Sequence, residues 1–98
     1  MAKAYMVVTY RSISNPDALA AYAKLAGPAI EAEGGKFLVR GTPVRTYELG
    51  IAQRTIVSVF PSVAQAIAAY EGPAYKAALK ALGKGSVERD MRIVEGVD

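Results

Sequence analysis

The chain has 98 residues, of which 52% are hydrophobic and 21% are charged, and its formal net charge is +3. It contains neither histidine nor cysteine, which excludes disulfides, a thiolate nucleophile, cysteine-ligated metal clusters and a Ser–His–Asp triad built from this chain alone. Its lysines and arginines are scattered rather than clustered, and this distribution argues against nucleic acid as a partner.

The first half of the chain begins with a strand and a helix. Ala4–Tyr10 is aromatic and β-branched, which predicts a strand, and both of its faces are largely apolar. Asn15 is suited to cap a helix that runs from about Pro16 to Glu33. Pro28 lies inside this helix, so we expect a kink or a break near Gly27.

Two strands follow the first helix. Lys36–Arg40 predicts the second strand, and Gly41-Thr42-Pro43 interrupts it. A continuation over Val44–Leu49 after a bulge is left open. A short turn at Gly50–Gln53 then leads into the third strand, Arg54–Phe60, so that the second and third strands form a hairpin.

A second helix and a fourth strand complete the chain. Ser62 with Gln65 three residues later forms the signature of a capping box at the start of this helix. Gly72-Pro73 interrupts the helix, which resumes over Ala74–Leu82. Ser86–Val94 predicts the last strand.

The order of these elements predicts an α+β fold. Each half of the chain has a strand, an interrupted helix and a second strand, which together give the ferredoxin-like βαββαβ plan. In this plan a four-stranded antiparallel sheet carries both helices on one face. Because the first and third strands are apolar on both faces, the other face should be covered by a second copy of the chain, with the two sheets face to face.

Length and hydropathy indicate how many domains to expect and whether a membrane span is present. We expect residues 1–98 to form a single domain, because so short a chain cannot build two cores. No apolar run approaches the roughly 20 residues that span a bilayer, and the first residues lack the features of a signal peptide. The expectation is a cytoplasmic homodimer with no membrane partner.

Nearly the whole chain resembles a known family. The segments AYMVVTYRSISNPDALAAYAKLAGPAIEAEGGKFLVRG, FPS, AIAAYEGPAYKAAL and ERDMRIVEG are similar to the domain-of-unknown-function 1330 family, within the dimeric α/β-barrel superfamily. The resemblance implies a ferredoxin-like fold and a homodimer, but no activity. Relatives in the superfamily include cofactor-independent monooxygenases, dehalogenating and isomerising enzymes, and haem-binding proteins, and a shared fold does not transfer those functions.

Tyrosines near the helix interruptions are the first candidates for a ligand pocket between the sheet and the helices. Tyr22, Tyr70 and Tyr75 each combine an apolar ring with a hydroxyl group. The alternative is that they are core aromatic residues whose hydroxyls reach the surface.

Arginines supply the second group of candidates. Arg40 and Arg54 should meet at the end of the hairpin, with Glu48 close in sequence, and the pair could bind a carboxylate or a phosphate. A solvated ion pair is the alternative. Arg89 shares the apolar face of the last strand, so if buried it needs an acidic or ligand partner. A carboxylate across the dimer interface could equally be that partner.

Three functions remain open from the sequence. The first is a dimer that binds a small organic anion, the second is a non-catalytic interaction or structural dimer, and the third is a cofactor-independent monooxygenase-like or isomerase-like enzyme. RNA binding is disfavoured, because the third strand, RTIVSVF, lacks the glycine–aromatic core of RNA-recognition strands. No cofactor and no metal are predicted, although a hard cation with oxygen ligands is left open.

Overall fold

The computed structural model describes residues 2–97, so Met1 and Asp98 of the expected domain lie outside the described residues. The elements in chain order are β1 (Ala4–Ile13), α1 (Pro16–Ala32), β2 (Lys36–Gly41), β3 (Thr55–Phe60), α2 (Val63–Glu71), α3 (Pro73–Leu82) and β4 (Val87–Glu95). The strands form a four-stranded antiparallel sheet in the order β2-β3-β1-β4. The predicted ferredoxin-like fold is confirmed.

The first helix differs from its prediction. The side chain of Asn15 caps α1 as expected, accepting a hydrogen bond of 3.1 Å from a backbone N–H in the first turn. The helix then runs to Ala32 without the expected interruption at Pro28. A proline inside a helix leaves the carbonyl four residues earlier without its donor. That carbonyl belongs to Lys24, and because Lys24 and Pro28 are both exposed, water can satisfy it.

The second helical segment is interrupted where the sequence predicts. Ser62 Oγ accepts a hydrogen bond of 3.2 Å from the Gln65 N–H, which begins α2. Gly72 separates α2 from α3, and a Cβ added there would lie 2.9 Å from the Ala68 carbonyl oxygen. Only glycine therefore fits between these helices, and Pro73 follows as the first residue of α3.

The connection between β2 and β3 is a long loop rather than a short turn. Residues 42–54 contain no strand, so the continuation over Val44–Leu49 does not form. Pro43 has no N–H to donate to a neighbouring strand, which explains why β2 ends before it. The loop contains a turn at the predicted Gly50–Gln53, where the Gln53 N–H donates to the Ile51 carbonyl at 2.8 Å, and an earlier one, where the Gly50 N–H donates to the Tyr47 carbonyl at 2.9 Å. The two strands still pair as predicted.

The two faces of the sheet have different surroundings. Alternate residues of β1, from Ala4 to Tyr10, are buried beneath the helices and form the core with residues such as Phe60 and Tyr75. The opposite face, called the open face below, carries the other alternate residues of β1, which are only partly buried within residues 2–97. Cross-strand partners share a face, so the strand register places on the open face Tyr5, Val7, Val39, Val57, Val59 and Val94.

The helices are also short relative to a bilayer. The longest of the three, α1, has 17 residues, while roughly 20 apolar residues are needed to span the hydrocarbon core. Within residues 2–97, no helix has both the length and the apolarity for a membrane span. The cytoplasmic location stays a prediction.

Candidate functional site

A cavity of about 60 Å³ lies between α1 and the helix-covered face of the sheet. We call it the helix-face cavity. Apolar side chains such as Met6, Val8 and Ile56 form much of its wall. Arginines and tyrosines supply most of its polar surface, namely Arg40, Arg54, Arg89, Tyr10, Tyr22 and Tyr75. Among the described residues, no aspartate or glutamate lines it.

Strand pairing brings three of the polar residues into one row. Arg89 on β4 is the cross-strand partner of Tyr10 on β1. The Tyr10 N–H donates to the Arg54 carbonyl at 3.1 Å, which places Arg54 beside Tyr10 at the start of β3. Arg40 on β2 pairs with Ile56 and faces the same cavity. The row therefore crosses three strands at one end of the sheet.

Arg89 is half-buried, and its guanidinium contacts tyrosines rather than carboxylates. Its Nη1 donates hydrogen bonds of 3.0 Å to the hydroxyls of Tyr10 and Tyr22. Its Cζ lies 5.5 Å from the Tyr10 ring centroid and 4.8 Å from that of Tyr22, within the range of cation–π contacts. Within residues 2–97 it forms no ion pair. Its Nε and Nη2 donate to no atom of that segment, so these two donors are available to a ligand.

A tyrosine pair extends the hydrogen-bond network away from Arg89. The hydroxyls of Tyr22 and Tyr75 hydrogen-bond to each other, and the two rings meet edge to face with centroids 5.8 Å apart. The Tyr75 hydroxyl also lies 4.0 Å from Met91 Sδ, a weak acceptor. Tyr75 is 0% exposed, and its ring packs on Tyr70 with centroids 5.0 Å apart.

Burial keeps this network in one protonation state at neutral pH. Burial raises the pKa of Tyr75, and the neighbouring Tyr22 raises it further. Burial also raises the pKa of Tyr10, although the positive charges of Arg89 and Arg54 oppose that rise. For Arg89, burial favours the neutral form, but the tyrosine oxygens outweigh it and raise the pKa. Arg89 is therefore charged, and Tyr10 and Tyr75 keep their O–H protons.

A glycine on α1 leaves room for the cavity. Gly27 lines it, and a Cβ added at Gly27 would meet no atom within 4 Å. Glycine inside a helix is less favourable than alanine by about 1 kcal/mol. The exposed lining residues Ala23 and Arg40 mark the entrance, at the β2 edge of the sheet. There the Arg40 guanidinium lies 4.5 Å from the centroid of the Phe37 ring.

The structure brings most of the sequence candidates together, and their role in binding stays a prediction. Tyr70 lies behind Tyr75 and lines a different cleft. Glu48 is exposed in the loop 42–54 and forms no ion pair within residues 2–97. The expected contact between Glu48 and the arginines is absent, because the long loop carries it away from the cavity. The helix-face cavity is lined by Tyr22, Arg40, Arg54, Tyr75 and Arg89.

Sequence reasoning missed two residues of this site. Tyr10 alternates with Met6 and Val8 on the buried face of β1, so its direction was available from strand periodicity. Its contact with Arg89 required the pairing of β1 with β4, which the ferredoxin-like plan implies but whose register it leaves open. Gly27 was interpreted as a helix interruption, and its place beside open volume became visible only in the packed structure.

Comparisons with known proteins agree with this fold. The model of the family described as Domain of unknown function (DUF1330) matches residues 3–97. No match to a curated protein was found. A protein of unknown function from Rhodopseudomonas palustris is 20% identical, with a TM-score of 0.77 over 99% of this chain and 84% of that chain.

Two further solved structures have lower identity. A dimeric ferredoxin-like protein of unknown function from Thermobifida fusca is 15% identical, with a TM-score of 0.66 over 97% of this chain and 92% of that chain. A candidate antibiotic biosynthesis monooxygenase from Caulobacter crescentus is also 15% identical, with a TM-score of 0.62 over 99% of this chain and 92% of that chain. At these identities the likeness concerns the fold alone.

Proposed function

We propose that this chain, which belongs to the DUF1330 family, is a cytoplasmic homodimer that binds a small organic anion in the helix-face cavity. The observation that carries the proposal is Arg89. Its positive charge is half-buried and has no acidic partner within residues 2–97. A charge removed from water is unfavourable unless it is paired, so an anionic ligand would supply the missing partner.

The geometry of the guanidinium supports two-point binding. Nη1 is occupied by Tyr10 and Tyr22, which hold the planar group in place. The opposite edge, formed by Nε and Nη2, presents two parallel N–H donors. Carboxylate and phosphate groups accept such a pair of hydrogen bonds bidentately. Arg40 and Arg54 add positive charge to the same cavity.

The size and lining of the cavity favour a small ligand with a carbon skeleton. A volume of about 60 Å³ holds roughly four to six non-hydrogen atoms, if each needs the space of one water. Beside the arginines, on the same face of the sheet, the lining is apolar, with Met6, Val8 and Ile56 among its residues. An inorganic ion would leave this apolar surface without a contact.

Binding is favoured over proton-transfer catalysis. The polar lining consists of arginines, tyrosines and Ser58, and the raised pKa values of Tyr10 and Tyr75 keep both phenols protonated. A general base needs a pKa close to the working pH, and the raised pKa values of Tyr10 and Tyr75 move both phenols away from that condition. The Caulobacter crescentus protein is described as a candidate monooxygenase, but its likeness to this chain is one of fold.

The homodimer is supported by apolar surface on the other side of the sheet. On the open face Val39 is 46% exposed and Val94 is 50% exposed. In the loop 42–54, Val44 is 102% exposed and Leu49 is 97% exposed. Large exposed apolar patches mark association sites, so these exposed residues support self-association, and the Thermobifida fusca protein is described as dimeric. A dimer with no ligand remains the alternative, and it needs only this surface.

Native mass spectrometry of gently purified protein tests the proposal. A dimer with extra mass that disappears in the denatured spectrum is the expected result, and cell fractionation checks the location. Arg89→Gln should remove the adduct. Arg92→Gln removes the same charge from the open face of the same strand and should retain it. A clean dimer that also fails to bind added carboxylates or phosphate would leave the interaction dimer as the function.

A further inference from the structure

A second cleft adjoins the helix-face cavity. It has a volume of about 330 Å³ and is lined by Met6, Tyr70, Met91 and Ile93. Met6 and Met91 also line the helix-face cavity. The two methionines, called the methionine wall below, are therefore the common boundary of two separate volumes.

The methionine wall lies next to the anion-binding group. Met91 follows Arg89 by two residues on β4, on the same face, which corresponds to roughly 7 Å along the strand. Met6 on β1 is the cross-strand partner of Ile93, the next residue of β4 on that face. A molecule held at Arg89 and directed along β4 would meet this wall first and then the cleft.

Within the methionine wall, Met91 can move at less cost than Met6, which is 1% exposed and belongs to the core. Methionine is unbranched and adapts its conformation to irregular space. The only hydrogen bond that Met91 Sδ accepts within residues 2–97 is the weak one of 4.0 Å from the Tyr75 hydroxyl. The Met91 side chain is therefore held between the cavity and the cleft by packing and by this one weak hydrogen bond.

We propose that the ligand is a straight-chain carboxylate whose alkyl tail passes the methionine wall into the cleft beside Tyr70. This inference rests on the proposed function, and it names the ligand class for the same site. The carboxylate would accept hydrogen bonds from Nε and Nη2 of Arg89. A tail too long for the cavity of about 60 Å³ would lie between Met6 and Met91.

A carboxylate suits the site better than a phosphate ester. Both groups accept the paired donors of an arginine, but a phosphate already fills about five of the roughly four to six atom positions available. A carboxylate has three non-hydrogen atoms and leaves room for carbon at the apolar wall. The lining of the cleft then extends that apolar surface, because its other residues are Tyr70 and Ile93.

Isothermal titration with unbranched carboxylates from acetate to octanoate tests the inference. In the native protein the affinity should rise roughly fourfold for each added methylene, as expected for burial of a methylene group, and the rise should continue beyond butanoate. Met91→Ile replaces the flexible side chain by a branched, stiffer one. In this variant the rise in affinity per methylene should stop near butanoate, and this comparison of slopes does not depend on the affinity for acetate.

A second measurement, NMR of the methionine methyl groups in the native protein, tests directly whether the ligand contacts the methionine wall. With ¹³C-methyl methionine, octanoate should shift the Met6 and Met91 methyl resonances strongly, whereas acetate should shift them little. An affinity that stops rising at butanoate in the native protein would overturn the passage and leave anion binding intact. The passage would also be overturned if the affinity rose with chain length in the same way in the native protein and in Met91→Ile. If phosphate binds at Arg89 but no carboxylate does, the ligand class is wrong, and if neither binds, the proposed function fails with it.

Discussion

Arg89 and Tyr10 face each other across the pairing of β4 and β1, and the Arg89 Nη1 donates a hydrogen bond of 3.0 Å to the Tyr10 hydroxyl. Tyr10 is 3% exposed, so this contact holds a guanidinium against a buried aromatic residue. Neutral hydroxyls orient the charge without neutralising it. The proposal that Arg89 binds an anion depends on this combination, because the guanidinium has no carboxylate partner within residues 2–97.

Arg89→Lys should weaken anion binding although it keeps the positive charge. A lysine ammonium cannot contact both tyrosine hydroxyls and also present two parallel donors to a ligand. Since a hydrogen bond to a charged group contributes about 1.5–3 kcal/mol, we expect the affinity to fall at least roughly tenfold. Titration with a short carboxylate measures it. Arg92→Lys on the other face is the control, and an equal loss in both variants would show that the paired donors of Arg89 do not bind the ligand.

Gly27→Ala should stabilise the protein and weaken binding at the same time. Replacing a glycine inside a helix by alanine contributes about 0.5–1 kcal/mol of stability, and no atom lies within 4 Å of the added Cβ. The methyl group would occupy part of a cavity of about 60 Å³. Urea unfolding and ligand titration measure the two effects.

Gly27→Leu extends this test. It should abolish binding, because the larger side chain fills the space that the ligand needs. Ala21→Leu adds bulk to the exposed side of the same helix and should leave binding unchanged. Normal affinity in Gly27→Leu would show that the ligand lies elsewhere.

Stability should fall at alkaline pH because of the buried tyrosines. Burial raises the pKa of Tyr10 and Tyr75 above the unfolded value of 10.0, so above that pH the folded state holds more protons than the unfolded state. The contribution of these two tyrosines to the free energy of unfolding is therefore constant below about pH 10 and falls above it, by up to about 1.4 kcal/mol per pH unit for each tyrosine. Urea unfolding between pH 8 and 11 measures the slope. Tyr75→Phe should reduce it, and an unchanged slope would contradict the assignment.

Val57→Glu should separate the dimer. Val57 lies on the open face, opposite both Val7 and Val39. An unpaired carboxylate buried between two sheets costs about 3 kcal/mol or more, and the two-fold arrangement introduces two of them. We expect the dimer dissociation constant to rise at least roughly 100-fold, as measured by sedimentation over a range of concentrations. Ala21→Glu adds the same charge to an exposed helix position and should not alter the mass. A native protein that sediments as a monomer would contradict the homodimer itself.

Local patterns in the sequence were sufficient for most of the architecture. The caps at Asn15 and Ser62 and the glycine between α2 and α3 each depend on a few neighbouring residues. Two elements depended on solvent and on distant residues instead. Pro28 remains in a continuous helix because its side of α1 is exposed, and the loop 42–54 takes a path that no periodicity specifies.

The sequence was sufficient to predict which face of β4 carries Arg89, but not which residues contact it. The direction of Arg89 followed from its alternation with Val87 and Met91 on β4. The partners of Arg89 could not be predicted in this way, because Tyr22 contacts it from a helix and Tyr10 contacts it from the neighbouring strand. Glu48 was included for its closeness in sequence, which proved a poor guide to distance in the fold.

The missing methyl group at Gly27 has a consequence for anyone who engineers this protein. Glycine makes the helix less stable than alanine would at this position, which lines the cavity and where an added Cβ would meet no atom within 4 Å. A library screened for melting temperature alone would therefore enrich larger residues at this position. Such a screen would select variants with a higher melting temperature and a smaller cavity. Thermostability and ligand binding therefore have to be selected together.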